Sequence, residues 1–124
     1  MRKLSTSTVF DQPVDPSSLM LVSRDASNFH GRAGGLLMPA NVDEVVSVVR
    51  DCVSSATPFV PRGAGTGLAA GAVPTDGAVV VSLMKMNRIR EVDPVGRTAW
   101  VEPGVLNADL SRAVASLGLH FAPD

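Results

Sequence analysis

Residues 61–72 read PRGAGTGLAAGA, with four glycines and four alanines in twelve positions and no charge after Arg62. An apolar run, PFVPR (58–62), leads into the stretch, and a valine-rich run, GAVVVSL (77–83), comes after it. Glycine inside a helix or strand is destabilising. The stretch is therefore a loop between two strands, kept for something that bare backbone can do. Glycine lets successive N–H groups turn to one side, and such a concave array binds phosphate oxygens. The alanines keep that surface low, Thr66 adds a hydroxyl donor, and Arg62 at the strand end adds a charge or braces the loop. Solvated loops are usually rich in Asp, Asn or Ser, and this one has none of them, which favours a ligand loop.

Two well-known phosphate loops can be compared with it. The Walker loop needs Gly-Lys followed by Ser or Thr, and no Lys-Ser or Lys-Thr pair occurs here. The Rossmann pattern G-x-G-x-x-G/A is met by GTGLAA (65–70), but it must open a helix within a βαβ unit. The next residues are GAVPTDGAVVV, with Pro74, Gly77 and then a strand. That leaves no helix dipole for a pyrophosphate, and the Rossmann reading falls.

The rest of the chain is read by period and punctuation. DPSSLMLV (15–22) places Pro16 at a first helical position after Asp15 and predicts a short helix. SRDASNFHGRAGG (23–35) is a loop, and GLLMPA (35–40) predicts a short buried strand. NVDEVVSVVRDCVSS (41–55) is the clearest helix: Asn41 caps it with Glu44 three residues on. Val42, Val45, Val46, Val49, Cys52 and Val53 are assigned to its inner face. With PFVPR this makes a βαβ unit and therefore parallel strands. RIREV (88–92) and RTAWV (97–101) flank Asp-Pro-Val-Gly and predict a hairpin. NADLSRAVASLG (107–118) predicts a second helix, capped by Asn107 and ended by Gly118, with Leu110, Ala113, Val114 and Leu117 inward. The expected fold is α+β: an α/β-like βαβ unit plus a β-hairpin and a helix.

Composition narrows the function classes. Eleven basic and twelve acidic residues give a net charge of −1, so no basic field draws nucleic acid or an anionic membrane. Four Phe, one Trp and no Tyr argue against a base-stacking surface. Cys52 is the only cysteine, which excludes an intrachain disulfide or a Cys-rich metal site and suits a small buried hydrophobe. His30 and His120 sit in no ligand-spaced cluster, so no metal and no catalytic triad are expected. Asp43, Glu44 and Asp109 suit helix starts. Met84 and Met86 read as core filler, Lys85, Arg88 and Arg90 as solvated, and Trp100 as packed. No signal peptide or run of roughly 20 apolar residues is present, and a cytoplasmic location is expected.

VPRGAGTGLAAGAVPTDGAVVVSLMKMNRI, followed by VDPVGRTAWVEPGV and LGLHFAPD, resembles the FAD-binding domain of the FAD-linked oxidases. These are the vanillyl-alcohol-oxidase or p-cresol-methylhydroxylase type. The nearest branch is that of the D-type subunit of glycolate oxidase and the D-lactate dehydrogenases, to which DASNF (25–29) is also similar. The resemblance implies that residues 25–124 are the first part of that FAD-binding domain, within its first subdomain, and that residues 1–24 form a lead-in with a short helix. It places the FAD pyrophosphate on Arg62, Gly63, Ala64, Gly65, Thr66, Gly67 and Leu68, with Gly71 and Ala72 at the end of the loop. It sets Pro123 and Asp124 near the flavin ring. Some relatives carry a flavin-linked His in this loop; Thr66 stands there, so non-covalent FAD is expected.

The same resemblance implies FAD-dependent oxidation of a D-2-hydroxy acid, lactate- or glycolate-like, by hydride transfer to the flavin. The second FAD subdomain and the substrate domain of the family have no counterpart in these residues, so no catalytic residue is assigned. The chain reads as the front portion of a longer protein, inactive by itself, with room for partner subunits, an iron–sulfur module or peripheral membrane association of the whole enzyme. The alternative is a non-catalytic nucleotide- or FAD-binding assembly module, or a truncated inactive product.

Overall fold

The computed structural model describes residues 14–122. Helix α1 spans Pro16–Val22, β1 Gly35–Leu37, α2 Val42–Ser54, β2 Phe59–Arg62 and β3 Val79–Ser82. Strands β4 (Ile89–Asp93) and β5 (Thr98–Val101) come next, then α3 (Asn107–Val114) and a 3-10 turn, Ala115–Leu117. β1, β3 and β2 form one parallel sheet in that order, and β4 with β5 forms an antiparallel hairpin. The predicted βαβ unit is present, but β3 lies between its two strands. A strand, not a helix, succeeds the glycine loop.

The helix starts follow from their caps. The Asp15 carboxylate accepts the Ser18 N–H at 3.1 Å ahead of Pro16. Asn41 Oδ1 accepts the Glu44 N–H at 2.9 Å, and Glu44 reaches back to accept the Ala40 N–H at 2.8 Å. The first closes one of the donors that a helix start leaves open, and the second fixes the residue ahead of the cap. At α3 the expectation is corrected: Leu106 holds the capping position, Asn107 is the first helical residue, and no side chain caps the helix. The α-helix also stops earlier than expected, at Val114, and Gly118 instead closes the 3-10 turn that continues it, in the left-handed conformation at φ 69°.

The core lies between α2 and the parallel sheet, where Val48, Cys52, Val79 and Val81 are packed with Leu37 and Leu83 around them. A central parallel strand is covered on both faces and so carries continuous apolar residues; β3 is buried at every position. Burial also raises the Cys52 thiol above its ordinary pKa, which leaves it an inert core atom. The inner face of α2 differs from the prediction. Val48 and Cys52 are buried, whereas Val42, Val46 and Val53 are exposed. Valines occur all round this helix, so its period alone points several ways, and the position of the sheet decides. Trp100 is also corrected: it is 74% exposed on the hairpin. Ala113 and Leu117 stay exposed as well, while Leu110 and Val114 are buried.

Candidate cofactor site

The glycine loop leaves β2 at Arg62 and returns to the sheet at β3. Its glycines serve different ends. Gly65 has φ +73°, a conformation glycine adopts without penalty, and a Cβ there would collide with the Arg62 guanidinium. Gly67 and Gly71 lack positive φ, and a Cβ on either would meet no atom within 4 Å. Nothing in the packing of the described residues requires glycine at these two positions. They form a low, open surface, flanked by an exposed Leu68.

The loop is held from behind by the segment before β1. The Ala26 N–H donates to the Gly65 carbonyl at 3.1 Å, and the Gly77 N–H to the Arg32 carbonyl at 2.9 Å. Gly34 donates to the Ala78 carbonyl at 2.8 Å. Gly31 and Gly34 lie so close to Pro74 and Gly77 that a Cβ on either would overlap their backbone. Asp25 Oδ1 accepts from the Ser27 hydroxyl and from its N–H at 2.9 Å, while Oδ2 is buried with no hydrogen bond. These Ser27 bonds hold the Asp25 carboxyl below the usual carboxylate range, helped by the Ala72 amide and the Arg62 charge.

On its other side the loop faces the turn after β5. Ala64 and Thr66 line a cleft of about 320 Å³ with Met84, Pro103, Gly104 and Val105. Leu106 and Asn107, at the start of α3, complete it. The absence of a side-chain cap leaves the leading N–H groups of α3 without a side-chain acceptor at the rim of the cleft, where a helix carries partial positive charge. Gly104 is fixed by crowding: its N–H donates to the Met86 carbonyl at 2.7 Å, and a Cβ would overlap the Leu83 carbonyl. Glu102, two residues earlier, is buried; it accepts the Arg88 N–H at 2.8 Å and pairs with Arg90. The Arg88 amide first, and Arg90 after it, hold the Glu102 carboxyl low. Arg90 is therefore an ion-pair partner of a buried acid, not a purely solvated residue.

Arg62, Gly63, Ala64, Gly65, Thr66, Gly67, Leu68, Gly71 and Ala72 thus share one loop, of which Ala64 and Thr66 reach the cleft. Arg62 turns inward, its Nη1 3.5 Å from the Ala72 carbonyl. Pro123 and Asp124 lie outside the described residues. A second, larger cleft of about 810 Å³ between the hairpin and α3 holds His120 and Phe121 and touches no residue of the glycine loop. Sequence reasoning did not assign Pro103–Asn107 or Asp25 to the site. The motifs VEPGV and DASNF were the available signals for both. Among the described residues no cluster of His, Cys, Asp and Glu is arranged to hold a metal, and no helix is long and apolar enough to cross a membrane.

Comparison with known proteins agrees with this geometry. The chain is 39% identical over 106 residues to glycolate oxidase subunit GlcD of Bacillus subtilis, covering 85% of this chain and 23% of that protein. It is 34% identical over 111 residues to D-2-hydroxyglutarate dehydrogenase of Stutzerimonas stutzeri, covering 89% and 24%. The chain thus spans about a quarter of the length of these relatives. Among solved structures, p-cresol methylhydroxylase with substrate bound superposes with a TM-score of 0.73 at 25% identity, over 86% of this chain and 22% of that one. The family model for the FAD binding domain matches residues 33–124, and the chain belongs to that family.

Proposed function

We propose that this chain supplies the pyrophosphate-binding part of the FAD site in an oxidoreductase that oxidises a D-2-hydroxy acid. The observation that carries the loop assignment is the pair Gly67 and Gly71, whose bare backbone faces open space without strain or crowding to explain it. A ligand that must approach the main chain accounts for both. Gly63 to Leu68 and Gly71 to Ala72 would present N–H groups to phosphate oxygens, with Thr66 adding its hydroxyl. The uncapped start of α3 offers donors from the facing side of the cleft. Bound FAD supplies the hydride-accepting chemistry; the chain binds and orients it, non-covalently, since Thr66 offers no nucleophilic ring nitrogen.

The substrate class rests on the relatives, which are named as a glycolate oxidase subunit and a D-2-hydroxyglutarate dehydrogenase. The first of these is one subunit of an oxidase, which supports partner chains. We read residues 25–124 as one part of the FAD domain and 1–24 as its lead-in, because Ala26 already bonds to the loop. Pro123 and Asp124 near the flavin, and a cytoplasmic location, rest on the resemblance and on the lack of disulfide-forming cysteines.

Titrating the chain with FAD while following flavin fluorescence tests the loop assignment. Micromolar or weaker binding is expected from so short a part of the domain, and Gly67→Asp should weaken it by at least about tenfold. Its melting temperature should not change, since a side chain fits there. Equal affinities for the two proteins, or no FAD binding by the parent chain, would refute the assignment.

A further inference from the structure

Ala26 and Arg62 come to the glycine loop from two distant parts of the sequence, and Asp25 precedes Ala26 in the chain. The Ala26 N–H is bonded to the Gly65 carbonyl. Arg62 reaches over Gly65 to the Ala72 carbonyl at 3.5 Å, so one side chain spans the loop from its first residue to its last. Asp25 has one carboxylate oxygen tied to Ser27 and the other buried without a hydrogen bond. The Ser27 bonds do most to favour the ionised carboxyl; the Ala72 amide and, last, the charge of the Arg62 guanidinium add to that. The positive φ of Gly65 matters here, because the lack of a Cβ makes room for that guanidinium.

We propose that Asp25, Ala26 and Arg62 form a latch that sets the shape of the glycine loop before any cofactor arrives, with Arg62 a brace inside the loop and not a phosphate ligand. The value of the latch for binding rests on the reading of this loop as a phosphate cradle; its existence does not. A loop rich in glycine has many conformations to lose, and a cofactor that had to order it would bind more weakly by that cost. The latch removes part of the cost in advance. Asp25 and Arg62 are thus positioning residues, acting on phosphate only through the backbone between Gly65 and Ala72.

Amide hydrogen exchange on the full 124-residue chain without cofactor tests this directly. In Asp25→Asn the amides of Gly65–Ala72 should exchange about tenfold faster, the size of one lost polar interaction, while those of Val79–Ser82 keep their rates. Arg62→Lys keeps the charge but loses the planar fork, and should show the same local pattern; it carries the comparison if Asp25→Asn unfolds. Unchanged loop exchange in both variants would overturn the latch, as would acceleration spread evenly over Val79–Ser82. If Arg62 were a phosphate ligand, Arg62→Lys would change FAD affinity while leaving exchange in the cofactor-free chain as it was. Failure of the parent chain to bind FAD would sink the cradle reading and leave these exchange rates to judge the latch alone.

Discussion

In the parallel sheet the middle strand, Val79–Ser82, is buried at every residue, whereas in the hairpin every residue of Thr98–Val101 is exposed. Both strands are four residues long and mostly apolar. The first draws its stability from its faces, with α2 packed against Val79 and Val81. The hairpin draws its stability from its ends. Asp93 Oδ1 accepts the N–H groups of Val95 and Gly96 at the turn, each at 3.0 Å. At the open end Glu102 binds Arg88 and Arg90, and Gly104 is bonded to Met86. An isolated two-stranded hairpin is marginal in water, so these end contacts decide whether this one forms. Apolar alternation alone therefore identifies a strand without saying what holds it.

The contrast can be broken most strongly at Val80, which is fully buried. Val80→Asp should cost about 4 kcal/mol or more, since it strands a charge between two packed faces; urea unfolding would show loss of the cooperative transition. Gly104→Ala comes next, at about 1–3 kcal/mol, because the new methyl must displace the Leu83 backbone. Its signature in NMR shifts should centre on Leu83–Met86 and the open end of the hairpin and be smaller at Val79–Val81. Trp100→Lys is the smallest, within about 0.5 kcal/mol of the parent chain. A larger loss at Trp100 would mean that the hairpin does rely on a packed face.

What was legible in the sequence had local causes. Asp15-Pro16 and Asn41 with Glu44 mark helix starts through bonds that reach three or four residues, and each is where the pattern placed it, while Gly118 closes the 3-10 turn that follows α3. The strand after the glycine loop was equally plain, because Pro74 and Gly77 leave no helix to begin. The inner face of α2 was not, since six valines encircle it and only the sheet selects Val48. Arg90 looked solvated because its partner, Glu102, lies on the far side of the hairpin. In the turn, Arg97 rather than Gly96 takes the left-handed conformation, at φ 51°; Gly96 is instead fixed by the Asp93 carboxylate, which a Cβ would strike. The contacts that hold the glycine loop run from Ala26 to Gly65 and from Arg62 to Ala72, and no short-range pattern points to them.

The placement of β3 between β1 and β2 bears on how the chain is made. β1 and β2 emerge first and cannot bond to each other, since the position between them is reserved for residues synthesised later. No rung of this sheet can close until Val79–Ser82 has left the ribosome, when Gly35 and Phe59 both find the same partner, Val79. Such distant pairings slow folding, and during that interval two short apolar strands wait with unpaired edges, the situation in which nascent chains associate wrongly. The pliant glycine segment just ahead of β3 is then also the hinge on which the last strand swings into its slot.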